Sequence, residues 1–141
     1  MNALVEEFPN DFTCLAVFSN QFGHQTNARN HEIEASLAHV RPGKGFKCKF
    51  DLFSKADVNG AKEIPLFTYL KDKLPIPSGI GNMTIMGNPK GVIWAPLKRS
   101  DIAWNFEKFL VNKEGVPVKR FTHKTPSIDL KGDVAALLSK S

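Results

Sequence analysis

Residues 17–27 read VFSNQFGHQTN, and the stretch crowds amide side chains into a turn directly after an apolar run. Asn20, Gln21, Gln25 and Asn27 each both donate and accept hydrogen bonds without carrying charge, where apolar residues would ordinarily anchor a core. The other groups with reactive potential are two cysteines and four histidines. Cys14 lies inside FTCLAVF, the setting of a buried, inert thiol. Cys48 lies between two lysines in KCKF, a setting that can lower a thiol pKa; its plainer reading is a surface thiol without consequence. The two do not form a CxxC, so neither a structural zinc nor a thioredoxin-type dithiol is indicated. His24, His31, His39 and His123 show no ligand spacing with carboxylates beyond His31 beside Glu32, which reads as helix surface, so no metal site is expected. Ser19 has no nucleophile-elbow pattern around it.

Whatever these residues do, ordered elements must hold them. Phe12–Phe18 is a short apolar run expected to be a strand buried on both faces. Ile33, Leu37 and Val40 then recur at helical spacing, with Asn30 as the expected N-cap and Pro42-Gly43 as the stop. Residues 50–58 read as a second strand region ending in the turn dipeptide Asn59-Gly60. Pro65 suits the first position of a helix carrying Leu66, Phe67, Tyr69 and Leu70. Pro75 to Asn88 is rich in Pro, Gly, Ser and Asn, as in a long surface loop. Trp104–Val111 and Val116–Phe121 are expected to form a hairpin across Asn112-Lys113-Glu114-Gly115. A last helix presents Leu130, Val134, Leu137 and Leu138, and Met1–Val5 reads as helix at the start. Strands alternating with helices, then a hairpin and a helix, indicate a layered α/β domain.

Composition narrows the class. At 141 residues with 42% apolar content, the chain can bury one core. Its longest apolar run falls well short of the roughly 20 residues that span a bilayer, and MNALVEEFPNDF lacks the pattern of a signal peptide. The net charge of +5 and pI near 9.3 attract anions generally. The lysines are scattered, without nucleic-acid-binding signatures, which speaks for a solvated face and against nucleic acid as partner. A small anionic ligand suits the charge equally well.

Three blocks then carry a resemblance. NQFGHQ (Asn20–Gln25), DVNG (Asp57–Gly60) and WNFEKFLV (Trp104–Val111) closely resemble landmarks of the glutathione peroxidases, in the family's order. RPGKGF and PLFTYLKDKLP between them match as well, so the likeness covers essentially the whole chain. It implies a thioredoxin-like fold, a three-layer α/β/α arrangement here lacking its first βα unit, with residues 1–141 as one truncated domain. It implies reduction of hydrogen peroxide and organic hydroperoxides with glutathione, in defence against oxidative stress, by a cytoplasmic homotetramer.

In the family the reactive chalcogen is held by a glutamine amide, a tryptophan indole N–H and an asparagine, which fall on Gln25, Trp104 and Asn105. Neutral donors suit that task. They stabilise a thiolate or selenolate through fixed dipoles and do not compete with it as nucleophiles. Because neighbours in a strand point to opposite faces, Trp104 and Asn105 converge only if that strand begins irregularly. Gln21 is expected to support the turn instead. Glutathione's carboxylates are assigned by the same resemblance to Arg41, Arg29, His123 and Lys124, Arg29 standing where a family lysine reaches across from a neighbouring subunit. His123 and Lys124 replace family arginines, so one fixed charge becomes titratable. Gly43 occupies the place of the resolving cysteine in thioredoxin-using members, which favours glutathione as reductant. Pro75–Ser100 resembles the insertion that helps tetrameric members assemble.

The resemblance also implies what these residues lack. The reactive residue, expected to be selenocysteine, belongs to a block upstream of Met1, and neither Cys14 nor Cys48 aligns with it. No other cofactor is expected. The 141 residues alone are therefore expected to show no peroxidase turnover. The alternative is a non-catalytic thioredoxin-fold binding or regulatory protein, against which Gln25, Trp104 and Asn105 weigh, since a binding module has little need of them.

Overall fold

A computed structural model describes residues 1–79 and 91–140. The elements run α1 (Asn2–Glu7), β1 (Leu15–Val17), α2 (Asn30–His39), β2 (Asp51–Phe53), α3 (Pro65–Lys73), β3 (Lys108–Val111), β4 (Pro117–Phe121), a 3-10 turn (Ser127–Leu130) and α4 (Lys131–Leu138). This is the expected α/β order. The strands pair in two groups: β1 with β2 in parallel, Leu15 opposite Asp51, and β3 with β4 antiparallel, Lys108 opposite Phe121. Ser78 adds a single parallel bridge to Phe121 on the other side of β4.

Several expected elements are shorter. The first strand keeps only Leu15–Val17 of Phe12–Phe18, and it is not buried on both faces, for Leu15 is 56% exposed. The second keeps Asp51–Phe53 of the region 50–58, and the third begins at Lys108 rather than Trp104. The N-cap of α2 is Arg29, not Asn30: the Arg29 N–H donates to Glu32 Oε2 at 2.6 Å, while Asn30 Oδ1 accepts from the Lys55 N–H at 2.8 Å. Of the predicted face, Ile33 is buried, but Val40 follows the last helical residue and is 77% exposed. Pro65 does open α3 as its first residue. The hairpin turn also forms, with Asn112 Oδ1 accepting from the Val116 N–H at 2.8 Å and Gly115 at φ +81°. Residues 80–88 of the loop expected over Pro75–Asn88 lie outside the described residues.

Two apolar clusters hold these pieces. Leu4 of α1, Leu110 and Phe121 of the hairpin, Leu130 and Val134 of the C-terminal helices form one. Phe22, Val58 and Ile102 form the other, with Phe67, Trp94 and Phe109 packed around them. This second cluster joins one residue from each of three sequence regions, the turn after β1, the turn before α3 and the approach to β3. It thereby fixes the floor beneath the amide-rich turn. No helix among the described residues is long and apolar enough to cross a membrane.

Candidate active site

The amide-rich turn divides its glutamines between two tasks. Gln21 is buried: its Oε1 accepts from the N–H groups of Val58 and Asn59, both at 3.0 Å, and its Nε2 donates to the Asn59 carbonyl at 2.9 Å. It supports the turn as expected, though by bonding across to DVNG. Asn59 passes the connection on, its Nδ2 donating to the Ile102 carbonyl at 2.9 Å and its Oδ1 accepting from the Ile102 N–H at 2.8 Å. NQF, DVNG and the lead into WNF are thus one hydrogen-bonded unit, buried away from competing water.

Gln25, at the outer end of the turn, is exposed. Its Oε1 accepts from Asn105 Nδ2 at 2.9 Å, a contact spanning eighty residues of chain. A side chain built on Gly23 would lie 3.4 Å from the Trp104 ring and 3.6 Å from Gln25 Nε2, so the indole and the amide flank the same glycine. The Trp104 ring rests on Phe22 with centroids 6.0 Å apart. Gln25, Trp104 and Asn105 therefore meet in one place, open to solvent, with Trp104 40% exposed.

The backbone there is irregular, as convergence of neighbouring side chains requires. Trp104–Phe106 form a turn instead of a strand, and Phe106 adopts φ +68°. Glu107 closes that turn, its Oε1 accepting from the Ala103 N–H at 2.6 Å. Gly23 and His24 are also left-handed, at φ +66° and +52°; glycine takes that conformation without the strain a Cβ brings. Because Asn105 donates to Gln25 Oε1, the Gln25 Nε2 is turned outward as a donor. No acceptor within the described residues engages Gln25 Nε2 or the Trp104 indole N–H. The arrangement brings uncharged N–H donors together on one solvent-exposed face, which suits an anion.

Two further groups hold the turn, and sequence reasoning gave neither a role. Lys71 is buried in α3, donating to the Val58 carbonyl (2.9 Å), Asn59 Oδ1 (3.2 Å), Asp101 Oδ1 (3.2 Å) and Glu63 Oε2. Asp101 also accepts from the Trp94 indole and the Lys98 N–H, both at 2.9 Å. Burial pushes the Glu63 carboxyl up, but hydrogen bonds from Lys71, Lys98 and Thr68 outweigh it and hold it below the usual value. Arg120, buried in β4, pairs with Glu107 at 2.8 Å and donates to the carbonyls of Leu74, Pro75, Ser100 and Asp101. The spacing of Lys71 four residues after Phe67 was the available signal, since it sets a lysine on the inward face of α3.

Of the residues assigned to glutathione, Arg29 and Arg41 are kept apart within the protomer. Arg29 and Arg41 stand at opposite ends of α2, about 18 Å apart at the rise of a helix. Arg41, Arg29 and Lys124 are exposed and make no ion pair among the described residues. His123 is half-buried, and its Nδ1 is buried without a hydrogen-bond partner among the described residues. Burial lowers its pKa, and Lys124 and Lys108 lower it further against the pull of Glu107. At neutral pH it offers a neutral imidazole, not a cation. The Cys48 thiol is not activated either: burial, then Glu34, raises its pKa. Cys14 is half-buried rather than sealed in the core.

The order of elements and the donor cluster on a turn after the first strand define an α/β protein of thioredoxin-like fold. Solved structures share that fold: "Trgpx in apo form" (TM-score 0.61, 23% identity, 98% of this chain and 64% of that one) and T. cruzi GPX1 (TM-score 0.57, 28% identity, 98% and 68%). The family model for glutathione peroxidase matches residues 1–71. Glutathione peroxidase 1 of Oryctolagus cuniculus is 50% identical over 141 residues, covering 99% of this chain and 70% of the relative. The Rattus norvegicus protein of that name is 51% identical over 132 residues (94% and 65%), and Glutathione peroxidase 2 of Homo sapiens 47% over 138 (98% and 72%). The chain belongs to the glutathione peroxidase family. It spans about two thirds of the length of these relatives.

Proposed function

We propose that these 141 residues supply the anion-stabilising part of a peroxidase that reduces hydrogen peroxide and organic hydroperoxides with glutathione. Gln25 Nε2, the Trp104 indole N–H and the second Asn105 N–H hold a selenolate or thiolate as its charge is redistributed to the peroxide oxygen. The observation that carries this reading is the meeting of Trp104 and Gln25 at Gly23, with Asn105 bonded to Gln25 and no acceptor among the described residues taking the Gln25 Nε2 hydrogens. Neither cysteine serves as the chalcogen: Cys14 stands before β1, whereas Gln25 lies beyond its far end. The reactive residue, selenocysteine in our reading, comes from outside these residues. Arg41, with Lys124 and neutral His123, receives glutathione's carboxylates, and Arg29, at the far end of α2, serves a neighbouring subunit of a homotetramer.

The test begins with the transcript upstream of Met1, where an in-frame UGA or cysteine codon is expected. Protein extended through that codon should oxidise glutathione, not thioredoxin, in a coupled assay with hydrogen peroxide. Trp104→Phe and Gln25→Ala should each lower kcat by about 10²-fold or more, as losing one preorganised donor does. Unrelated upstream sequence, or full turnover in both variants, refutes the proposal.

A further inference from the structure

We propose that Cys14 and Cys48 form a reversible intramolecular disulfide when the protein meets hydroperoxide, a site separate from the Gln25–Asn105 pair. β1 and β2 run in parallel with Leu15 opposite Asp51, so the chain enters both strands from the same end. Cys14 immediately precedes β1, and Cys48 lies three residues before β2. Neighbouring strands are about 4.8 Å apart with about 3.3 Å per residue. A straight entry would set the two Cα atoms about 8 Å apart; the chain bends at Lys49–Phe50, so the entry is not straight, and closing the bond requires a Cα separation of about 4.4–6.8 Å.

The Cys48 segment is also held in place. Asn2 of α1 brackets it, accepting from the Lys49 N–H at 3.0 Å and donating to the Lys47 carbonyl at 2.8 Å. Both thiols are free and only partly buried. They are also near neighbours electrically: burial pushes Cys14 up, and the Cys48 sulfur adds to that rise.

The chemistry balances with a hydroperoxide as oxidant. The less deeply buried Cys48 sulfur, as thiolate, attacks the terminal peroxide oxygen and the O–O bond breaks. Two electrons pass from sulfur to the peroxide, giving a Cys48 sulfenic acid and an alkoxide or hydroxide, which takes the proton the thiol had lost and leaves as alcohol or water. Cys14 then gives up its proton and attacks the Cys48 sulfur. The S–S bond forms, S–O breaks, and the departing hydroxide takes that proton as water. Two molecules of a small thiol such as glutathione restore the pair by exchange, leaving as their own disulfide. Raised thiol pKa values make the first step slow at neutral pH, so the pair responds to sustained oxidant and does not turn over as a peroxidase. The bond would tie the entrances of both strands together and, through Asn2, to α1.

The 141-residue chain suffices for the test, which is independent of peroxidase turnover. After hydrogen peroxide, intact mass should fall by about 2 Da, both thiols should be lost to a thiol reagent, and a peptide map should join Cys14 to Cys48 within one chain. A small thiol should reverse all three. With dimedone present, Cys14→Ser should divert the oxidised Cys48 to the dimedone adduct. The same oxidation in concentrated urea measures closure of an unstructured loop; disulfide over dimedone adduct should be at least about tenfold higher in native protein, reflecting effective concentration. Sulfinic acid or intermolecular dimer in place of the internal bond, or an equal ratio in urea, overturns the proposal.

Discussion

Replacing Lys71 by methionine tests how the buried network holds the DVNG turn. Methionine fills most of the lysine's volume but removes the ammonium that meets two carbonyl-type oxygens and two carboxylates. Both carboxylates are shielded, Asp101 fully and Glu63 to 7% side-chain exposure. Asp101 keeps the Trp94 indole and the Lys98 N–H, and Glu63 keeps Lys98 and Thr68, so the loss is of the cation. Stranding buried charge in this way costs about 3–5 kcal/mol. With a urea m-value of about 2 kcal/mol/M, the midpoint should fall by about 1.5–2.5 M, followed by far-UV circular dichroism. The Glu63 carboxyl is held below its ordinary value in the folded protein, so its contribution is present above the unfolded pKa of about 4.3. It is lost as pH falls through the lowered folded value. The penalty of Lys71→Met should therefore shrink in that acid window, and adding Glu63→Gln should recover part of it at pH 7. A loss under about 1 kcal/mol at pH 7, or one independent of pH, would refute the assignment of Lys71 as their counter-ion.

Gln21→Ala would leave the Val58 and Asn59 N–H groups and the Asn59 carbonyl without their partner. At about 1–3 kcal/mol per buried orphan, chemical denaturation should show a loss of at least about 3 kcal/mol. Gly60→Ala would set a methyl group 2.9 Å from Trp94 Cβ and 3.0 Å from the Ala95 carbonyl at φ +82°; thermal melting should register about 2 kcal/mol or more of destabilisation. For His123, a proton NMR titration should give a midpoint below 6.5, because burial disfavours the imidazolium. Its share of stability is then present above pH 6.5 and lost as pH falls through the lowered value; a midpoint above 6.5 would contradict the buried setting.

Sequence patterning carried the element order, because helical spacing and turn residues are local signals. Pro65, Asn112–Gly115 and the helical start at Met1 behaved as their chemistry dictates. Strand lengths were less legible. Apolar runs such as Phe12–Phe18 and WNFEKFLV look alike whether they pair or merely pack, and only Leu15–Val17 and Lys108–Val111 found partners. Val40 matched the helical period yet fell past the helix end, where periodicity no longer decides burial. Of the site, Gln25, Trp104 and Asn105 were legible through the resemblance. The turn that lets two neighbouring side chains converge was foreseen only as a requirement. Lys71 and Arg120 escaped because buried cations take their meaning from partners on other elements; spacing sets Lys71 on the inward face of α3 but does not name those partners.

The Gln21 amide has a direction. Its oxygen faces two hydrogens and its nitrogen faces a carbonyl, so neither half can be exchanged for the other. Glutamate, nearly identical in outline, would satisfy the first pair and press a negative oxygen against the third partner in a place water does not reach. The position tells a carboxylic acid from its amide by wiring alone, so a change that looks the mildest on paper would strike this molecule as among the harshest.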